Sequence, residues 1–351
     1  MYWIKKIIDV GDWSLINDSL LAVQNNQINS FDLNGNYAHI VYELSDYWGV
    51  NYYKKFIHIF TMYSGNTIID FNGKILFEKN DFSFYHFYNT DKFIGFDRKI
   101  KKVVNSDGEI LFDKKISKSF FFDKKMIFTL KYDKEIVLIG TEHPAQPLWQ
   151  FDFTQLGTFQ NYDDETTAVI VSQILGVYNN IVWFYTNSEW FIGLDIDTGE
   201  QKHLLKNVPA NNLDGNIHNY LEETEGFRFL ETKYTLDKEK GIIHGLIHDK
   251  YYQIDLTKTD PIASIYGLHE EFKNKEIRPG NIKRHSVLVG NEFYFIMDEQ
   301  AKFGIIDIET KKVKYVSPTI TTKARLNQIQ VSENKVYVLA FDATLYIYEK
   351  E

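Results

Sequence analysis

Carboxylates placed next to glycine are the first residues in this sequence whose types and spacing could do chemistry. The stretch from Phe191 to Leu205 contains Asp195, Asp197 and Gly199 in the pattern Asp-x-Asp-x-Gly. Such a pattern could ligate a metal ion, cradle a phosphate or turn the chain between two strands. A calcium loop also needs a bidentate glutamate at a fixed distance, and none follows here. The pattern therefore favours a structural turn.

This stretch is one of several similar stretches along the chain. Aligning them places six residues in one column, namely Asp32, Asp70, Asn105, Asp195, Asp255 and Asp307. The first three copies continue into Asn-Gly or Asp-Gly, which supply the positive φ of a tight hairpin turn. A degenerate further copy is expected in the segment 136–153. Side chains in six separate repeats lie at distant, equivalent corners, so they cannot share one ion.

An apolar strand precedes each repeat at a short distance. The eight segments are 19–24, 55–63, 92–97, 125–130, 181–186, 241–247, 292–297 and 335–341. Several are apolar on both faces, as expected of strands that lie between two neighbouring sheets. A period of roughly 40–45 residues with about four strands is typical of the blades of a β-propeller.

The sequence thus predicts an all-β fold, a β-propeller of four-stranded antiparallel blades that forms a single domain over residues 1–351. Eight blades are favoured and seven are the next choice. The last repeat ends after its third strand, whereas residues 2–9 form a strand with no partner before it. We therefore expect the N-terminal strand to join the last blade beside Leu345–Tyr348 and close the ring. The alternative is a loose N-terminal arm.

Two short stretches resemble the quinoprotein-type, or PQQ-like, β-propeller repeat. Leu194–Glu200 looks like the turn of that repeat, and Leu148–Asp152 looks like the strand that follows such a turn. The resemblance implies blades of four antiparallel strands, often eight of them. Some members are alcohol or sugar dehydrogenases with a bound quinone and calcium, and others are non-enzymatic scaffolds, as in outer-membrane assembly. This chain has no vicinal cysteine pair and no regular tryptophan docking motif, which points to a non-enzymatic member.

The composition of the chain argues against several classes of function. The chain has no cysteine, which excludes disulfides, thiol nucleophiles and cysteine-metal sites. Its net charge of −9 and its scattered lysine pairs disfavour nucleic-acid binding. No apolar run suits a signal peptide or a membrane-spanning helix, so we expect a cytoplasmic protein that does not enter a membrane. We expect it to be monomeric.

Catalytic motifs are also missing from the sequence. It contains no Gly-x-Ser-x-Gly elbow, no Ser-x-x-Lys, no His-Glu-x-x-His and no phosphate loop. His244 and His248 are four residues apart, which on a strand separates them by about 13 Å, too far to share one metal. We therefore expect no catalytic residue, no bound metal and no cofactor.

Long connections are the informative departures from the repeat. Three of them, 154–167, 207–233 and 267–284, join the last strand of one blade to the first strand of the next, so all should emerge on one face near the channel mouth. The segment 45–53 is interpreted as a similar, aromatic-rich connection. The candidate partner-binding residues are the acids and aromatics of these connections: Tyr47, Trp48, Phe159, Tyr162, Asp163, Asp164, Glu165, Tyr220, Glu222, Glu223, Glu225 and Phe227.

Acids beside exposed aromatics suit a protein partner, particularly a basic one. Aromatic anchors dominate interface energetics, and opposite charge speeds association. The sequence therefore favours a non-catalytic protein-binding propeller, an interaction scaffold. One concrete form is an immunity-type protein that neutralises a basic toxin domain. The alternative is an enzyme with a carboxylate site at the channel mouth, such as a glycan-acting hydrolase or lyase.

Overall fold

The apolar repeats fold into strands that pair in chain order as antiparallel meanders. The structure is a computed structural model. It describes residues 1–45, 47–61, 65–79, 84–89, 94–97, 102–122, 124–140, 142–160, 163–217, 227–332 and 334–350. Within these residues, eight four-stranded antiparallel sheets form the blades of a β-propeller, as the sequence predicts.

The blades follow one another along the chain. Blade 1 contains Trp13–Ile16, Ser19–Gln24, Gln27–Phe31 and Tyr37–Glu43; blade 2, Tyr47–Tyr52, Ile57–Thr61, Asn66–Ile69 and Ile75–Lys79; blade 3, Phe84–Asn89, Ile94–Asp97, Val103–Val104 and Ile110–Phe112; blade 4, Ile116–Phe122, Lys125–Leu130, Glu135–Gly140 and Pro147–Asp152. Blade 5 contains Val171–Tyr178, Ile181–Thr186, Phe191–Asp195 and Gln201–Leu205; blade 6, Thr235–Asp237, Ile242–Ile247, Lys250–Asp255 and Ile262–Gly267; blade 7, Ile282–Val289, Glu292–Met297, Lys302–Asp307 and Lys312–Val316.

Blade 8 closes the ring with strands from both ends of the chain. Its strands are Leu326–Ser332, Lys335–Ala340, Leu345–Glu349 and, as the fourth, Tyr2–Ile7. The N-terminal strand pairs antiparallel with the third, from Tyr2 opposite Glu349 to Ile7 opposite Leu345. The predicted closure is therefore confirmed.

Elements outside the blades are short. Two two-stranded sheets pair Thr158–Gln160 with Thr166–Ala168, and Asn207–Val208 with Phe227–Arg228. The described residues also contain the α-helix His269–Asn274 and the 3-10 turns Phe153–Leu156, Ala210–Asn212 and Pro279–Asn281. Among the residues described above, no helix combines the length and the apolar character needed to cross a membrane.

The core is divided into layers, each shared by two neighbouring blades. The layer between blades 4 and 5 contains Ile127 and Leu138 from one side and Phe184 and Leu194 from the other. Equivalent layers join the other neighbours around the ring, including blades 8 and 1 through Tyr337. Second strands such as Lys125–Leu130 and Lys335–Ala340 are buried on both faces, as predicted, because each faces a sheet on either side.

The predicted aspartate column forms the corners between the third and fourth strands. Asp32 Oδ1 accepts from the backbone N–H groups of Asn34 and Asn36 at 2.9 and 2.8 Å, and Asp70 repeats this arrangement with Asn72 and Lys74. The other members accept from N–H groups two or more residues ahead in the same way. These side chains shape hairpin turns, which confirms the structural interpretation of the repeat.

The corner of blade 5 also docks on blade 4. The indole N–H of Trp149 donates to the carbonyl of Ile196 at 2.9 Å, and both groups are buried. Gly199 has a φ of 75°, and a Cβ atom there would lie 2.7 Å from the Trp149 ring. The two stretches that resemble the PQQ-like repeat are thus in contact with each other across one blade interface.

Replacing Gly199 with alanine should destabilise this interface. A Cβ atom would meet the Trp149 ring, and the positive φ is unfavourable for any side chain, so we expect the free energy of unfolding to fall by about 2 kcal/mol. Gly215→Ala is the matched control, because a Cβ atom at Gly215 meets no atom within 4 Å. Urea denaturation should show a change of at most about 0.5 kcal/mol for the control. Equal stability of the two variants would contradict tight docking at this corner.

A buried histidine in blade 6 should make stability depend on pH. The Nδ1 atom of His244 lies 2.7 Å from the hydroxyl of Tyr251, and the side chain is fully buried. Burial lowers the pKa of His244 from 6.5 to about 4. Between these values the unfolded chain binds a proton that the folded chain does not, so the free energy of unfolding should fall as the pH drops from 6.5 to 4.

The expected loss from His244 is about 3 kcal/mol at pH 4, since one pKa unit corresponds to about 1.4 kcal/mol. The measurement compares urea denaturation of the natural chain and His244→Phe across this range, with an NMR titration of the imidazole. The variant should lack this part of the pH dependence. An imidazole that titrates near 6.5 in the folded protein would show that burial does not act in this way.

Candidate functional site

The antiparallel strand order fixes which turns share a face of the ring. In each blade, the turn between strands 2 and 3 and the connection to the next blade lie on one face, which we call the connection face. The turns between strands 1 and 2 and the aspartate corners lie on the opposite face, the corner face. First strands of neighbouring blades contact one another, which places them around the centre of the ring. All three long connections therefore emerge on the connection face, as the repeat predicts.

The connections around blade 5 carry small sheets of their own. The first two-stranded sheet, Thr158–Gln160 with Thr166–Ala168, lies between blades 4 and 5 and is called hairpin A. The second, Asn207–Val208 with Phe227–Arg228, lies between blades 5 and 6 and is called hairpin B. Both flank the turn between strands 2 and 3 of blade 5.

The structure places several candidate residues in these hairpins. Phe159 is half-buried in hairpin A and packs on the core layer of blades 4 and 5, while Asp163, Asp164 and Glu165 are exposed in the hairpin's turn. Phe227 is half-buried in hairpin B, with Nζ of Lys250 at 5.8 Å from its ring centroid. Five further candidates lie outside the described residues: Tyr162, Tyr220, Glu222, Glu223 and Glu225.

The assignment of Tyr47 and Trp48 to a connection is wrong. Both belong to the first strand of blade 2, Tyr47–Tyr52, which pairs with Ile57–Thr61. Tyr47 is half-buried, and Trp48 is 44% exposed with its ring edge-on to Phe60 at 5.8 Å. Aromatic residues favour strands, and this aromatic run forms one.

A cleft of about 630 Å³ lies between hairpin A, hairpin B and the turn Thr186–Trp190 of blade 5. This volume is in the range of small-ligand sites. The side chains that line it include Phe159, Tyr185, Glu189, Trp190, Lys206, Arg228 and Glu231. Apart from Phe159, sequence reasoning missed them.

Hydrogen bonds hold the walls of this cleft in place. Asn187 ties hairpin A to the turn, because its Oδ1 accepts from the N–H of Ile170 at 2.8 Å and its Nδ2 donates to the carbonyl of Ala168 at 3.2 Å. The buried hydroxyl of Tyr185 donates to the carbonyl of Phe229, next to hairpin B, at 3.0 Å. Both hairpins are thus attached to the second strand and turn of blade 5.

Glu189 occupies a turn position that alanine fills in other blades. Its φ is 63°, and those of Ala301 in blade 7 and Ala343 in blade 8 are 48° and 59°. Each of the three residues donates its N–H to the carbonyl three residues earlier at 3.1 Å. The turn conformation is therefore common to these blades, whereas the carboxylate is particular to blade 5. Aligning these turns in the sequence could have revealed the difference.

The cleft combines charges with aromatic surface. Nζ of Lys206 lies 4.4 Å from the ring centroid of Trp190, a cation–π distance. Lys206, Arg228 and Glu231 are exposed, whereas Glu189 is 8% exposed. The arrangement can recognise a charged group against an aromatic wall.

A smaller depression of about 320 Å³ lies on the blade 6 side of hairpin B. There Asp249 contacts Nζ of Lys250 at 3.2 Å and Nδ1 of His269 at 3.1 Å. Burial alone would raise the pKa of the Asp249 carboxyl, but the charge of Lys250 and the hydrogen bonds from Lys250 and His269 outweigh it, so the pKa is lowered. This carboxylate is paired with Lys250, and its contact with His269 links helix His269–Asn274 to blade 6.

The carboxylates at the aspartate corners accept hydrogen bonds from the backbone of their own turns. The N–H of Thr198, which donates to Oδ1 of Asp195, lowers the pKa of that carboxyl. The N–H of Thr310 does the same for Asp307. Within the described residues, no group of three or more His, Cys, Asp or Glu side chains is placed to hold a metal ion.

Comparisons with known proteins bear on the fold. No protein-family model and no curated protein matches the sequence. Among solved structures, Sqt1 of Saccharomyces cerevisiae is similar with a TM-score of 0.58 and 9% identity, over 99% of this chain and 97% of that one. The computationally designed protein Ika8 is similar with a TM-score of 0.54 and 11% identity, over 97% and 96%. These likenesses agree with the β-propeller architecture.

BamB of Moraxella catarrhalis is also found, with 12% identity over 95% of this chain and 80% of that one. Its TM-score is 0.40. The class of protein that the fold and the strand order define is an eight-bladed β-propeller.

Replacing Glu189 tests whether the turn is built as described. Glu189→Ala should change the free energy of unfolding by less than about 1 kcal/mol, because alanine adopts this conformation in blades 7 and 8. Glu189→Val should lower it by about 2 kcal/mol, because a β-branched side chain is strained at positive φ. Thermal and urea denaturation measure both. A destabilisation by alanine as large as that by valine would contradict a purely conformational requirement at this position.

Proposed function

We propose that this protein is a non-catalytic protein-binding platform whose partner docks on the connection face. The observation that supports this most is the placement of hairpin A, which presents the exposed acids Asp163, Asp164 and Glu165 beside the cleft and its aromatic wall. Opposite charge accelerates docking, and aromatic side chains serve as anchors in interfaces. These features suit a basic partner.

A rigid support makes hairpins A and B suitable for binding a partner. Asn187 and Tyr185 fasten the two hairpins to the second strand and turn of blade 5, and that strand is buried between neighbouring sheets. Loops that a rigid scaffold holds in place lose less freedom when a partner binds. We propose that the platform acts in the cytoplasm as a monomer, and that neutralisation of a basic toxin domain is one form of this function.

Kinship with the PQQ-like repeat is part of the same proposal. The contact of Trp149 with the Asp195–Gly199 corner is the kind of tryptophan docking that the repeat implies, here seen between blades 4 and 5. We place the chain with the non-enzymatic members, because the corner carboxylates accept hydrogen bonds from their own turns.

Charge reversal in hairpin A tests the proposed function. The triple variant Asp163→Lys, Asp164→Lys and Glu165→Lys should weaken binding of the partner by about tenfold or more, because it replaces attraction by repulsion at the interface. The tagged chain is used to capture proteins from extract. Each captured protein is then purified and its dissociation constant measured by calorimetry at low and high salt. Binding should weaken as salt rises.

The matched control reverses the same number of charges on the corner face. Asp107, Glu109 and Glu239 are exposed acids at corner-face turns, and their replacement by lysine changes the net charge equally. The control should bind within about twofold of the natural chain. An equal loss of partner affinity in both triple variants would show that net charge, and not the position of hairpin A, causes the loss. Capture of acidic partners that ignore hairpin A would overturn the proposal.

A further inference from the structure

A second cavity lies on the connection face, on the opposite side of the ring from the blade 5 cleft. Its volume is about 460 Å³. It is formed where the connection into blade 1 meets the first strand of blade 8 and the turn between strands 2 and 3 of blade 8. The lining side chains that can recognise a ligand are Asp12, Trp13, Asn327, Gln328 and Phe341.

Backbone hydrogen bonds hold the walls of this cavity in place. The N–H of Val10 donates to the carbonyl of Ala343 at 2.8 Å, which fastens the connection to the turn of blade 8. The N–H of Phe341 donates to the carbonyl of Arg325 at 2.9 Å, which fastens that turn to the segment before the first strand. A ligand that enters therefore meets groups that are already positioned, which reduces the entropy that binding costs.

The polar groups of the cavity retain capacity for hydrogen bonds. Oδ2 of Asp12 accepts from the N–H of Val50 at 2.8 Å, and no cation in the described part of the chain pairs with this carboxylate. Partial desolvation raises the pKa of the Asp12 carboxyl, and the bond from Val50 offsets only part of this effect. The side-chain amides of Asn327 and Gln328 form no hydrogen bond with the described residues. The cavity thus offers one charged acceptor and two amides that both donate and accept.

The indole of Trp13 adds an unsatisfied donor to the cavity wall. Trp13 is 6% exposed, and within the residues that the structure describes its Nε1–H group has no hydrogen-bond partner. A buried donor without a partner costs free energy. A ligand oxygen that packs against this wall can supply the missing acceptor.

Phe341 provides an apolar surface at the mouth of the cavity. Its side chain is 59% exposed at the turn of blade 8. The same turn position holds Asn187 in blade 5 and Glu299 in blade 7, so the turn does not require an aromatic side chain. An exposed aromatic ring can pack against the C–H face of a ligand.

These lining groups favour a neutral ligand that is rich in hydroxyls. Among the described residues that line the cavity, Asp12 alone is ionisable, so an anionic ligand would meet repulsion and no cation. An apolar ligand would leave the carboxylate and the amides without partners. A hexopyranose has one C–H face and a rim of hydroxyls, so it matches both the aromatic ring and the polar groups. Glycoside cleavage generally uses a pair of carboxylates, and the single one here points to binding.

We propose that this cavity binds a neutral hexopyranose at the end of a glycan. Oδ1 of Asp12 accepts from sugar hydroxyls, the amides of Asn327 and Gln328 bond to the neighbouring hydroxyls, and the C–H face packs on Phe341. The volume of about 460 Å³ accommodates one pyranose ring. Asn327 and Phe341 are exposed, so the rest of the glycan extends into solvent. This site goes beyond the proposed function, because it lies across the ring from hairpin A.

The methyl pyranosides of glucose, galactose and mannose test the proposal on the full chain. They differ in the axial or equatorial placement of their hydroxyls, which the amides distinguish. Calorimetry should show saturable binding of at least one, with a dissociation constant of about 1 mM, and cyclohexanol should bind about tenfold more weakly or worse. The indole N–H signal of Trp13, assigned in NMR spectra with Trp13→Phe, should shift with the same dissociation constant. No saturable binding up to about 50 mM, or binding without this shift, would overturn the proposal.

Single substitutions test the role of each group. Asp12→Asn should weaken binding by about tenfold or more, because the charged acceptor is lost while an amide oxygen can still accept from Val50. Phe341→Ala should weaken it about fivefold. The matched controls are Asp18→Asn, an exposed acid on the corner face, and Tyr132→Ala, an 83% exposed aromatic residue in a turn of blade 4. Both should leave the affinity unchanged, and denaturation curves establish that every variant is folded. Equal losses in Asp12→Asn and Asp18→Asn would contradict a sugar site at this cavity.

The same variants separate this site from the proposed platform. The triple charge reversal in hairpin A should leave the sugar affinity unchanged. Asp12→Asn should leave the affinity for a captured protein partner within about twofold, because distant sites act independently. Loss of both the sugar and the protein partner in Asp12→Asn would mean that the two share one surface, and it would overturn the separate site.

Discussion

The apolar layer between neighbouring blades is the interaction on which the rest of this structure depends. A four-stranded sheet has two faces, and here both faces of the inner strands are buried by the sheets on either side, as in Lys335–Ala340. No single blade can bury these faces alone, so each blade is stable only between two others. The ring must therefore close, and the pairing of Tyr2–Ile7 with Leu345–Glu349 completes the last sheet.

Local patterns in the sequence were sufficient to predict this architecture. The Asp307 corner and the strand Lys335–Ala340 each depend on a few neighbouring residues, through turn chemistry in the first case and apolar composition in the second. Repetition of such local units then implies the ring, because identical sheets can bury their faces only against one another. The degenerate repeat in 136–153 follows the same rule, as the third and fourth strands of blade 4.

The cleft could not be predicted in this way, because contacts between distant parts of the chain form it. Tyr185 bonds to Phe229, and hairpin A reaches blade 5 through Asn187. The misassignment of Trp48 has the same origin, since aromatic residues suit both a strand and an exposed loop and only pairing distinguishes them. The sequence does contain the difference between Glu189 and the alanines of equivalent turns. That difference can be recognised only when the structure shows which turn positions correspond.

Carboxylates on the two faces of the ring differ in how they contribute to their turns. On the corner face, carboxylates such as Asp195 accept hydrogen bonds from the N–H groups of their own turns. These bonds lower the pKa of the carboxyl group and stabilise the turn. On the connection face, the turn of blade 5 keeps its shape through backbone bonds and a positive φ that alanine also supports, so Glu189 is not required to build it. A repeat protein thus provides its own reference state. Where one copy carries a charged group that its counterparts form the same turn without, the backbone conformation of the turn does not account for that group.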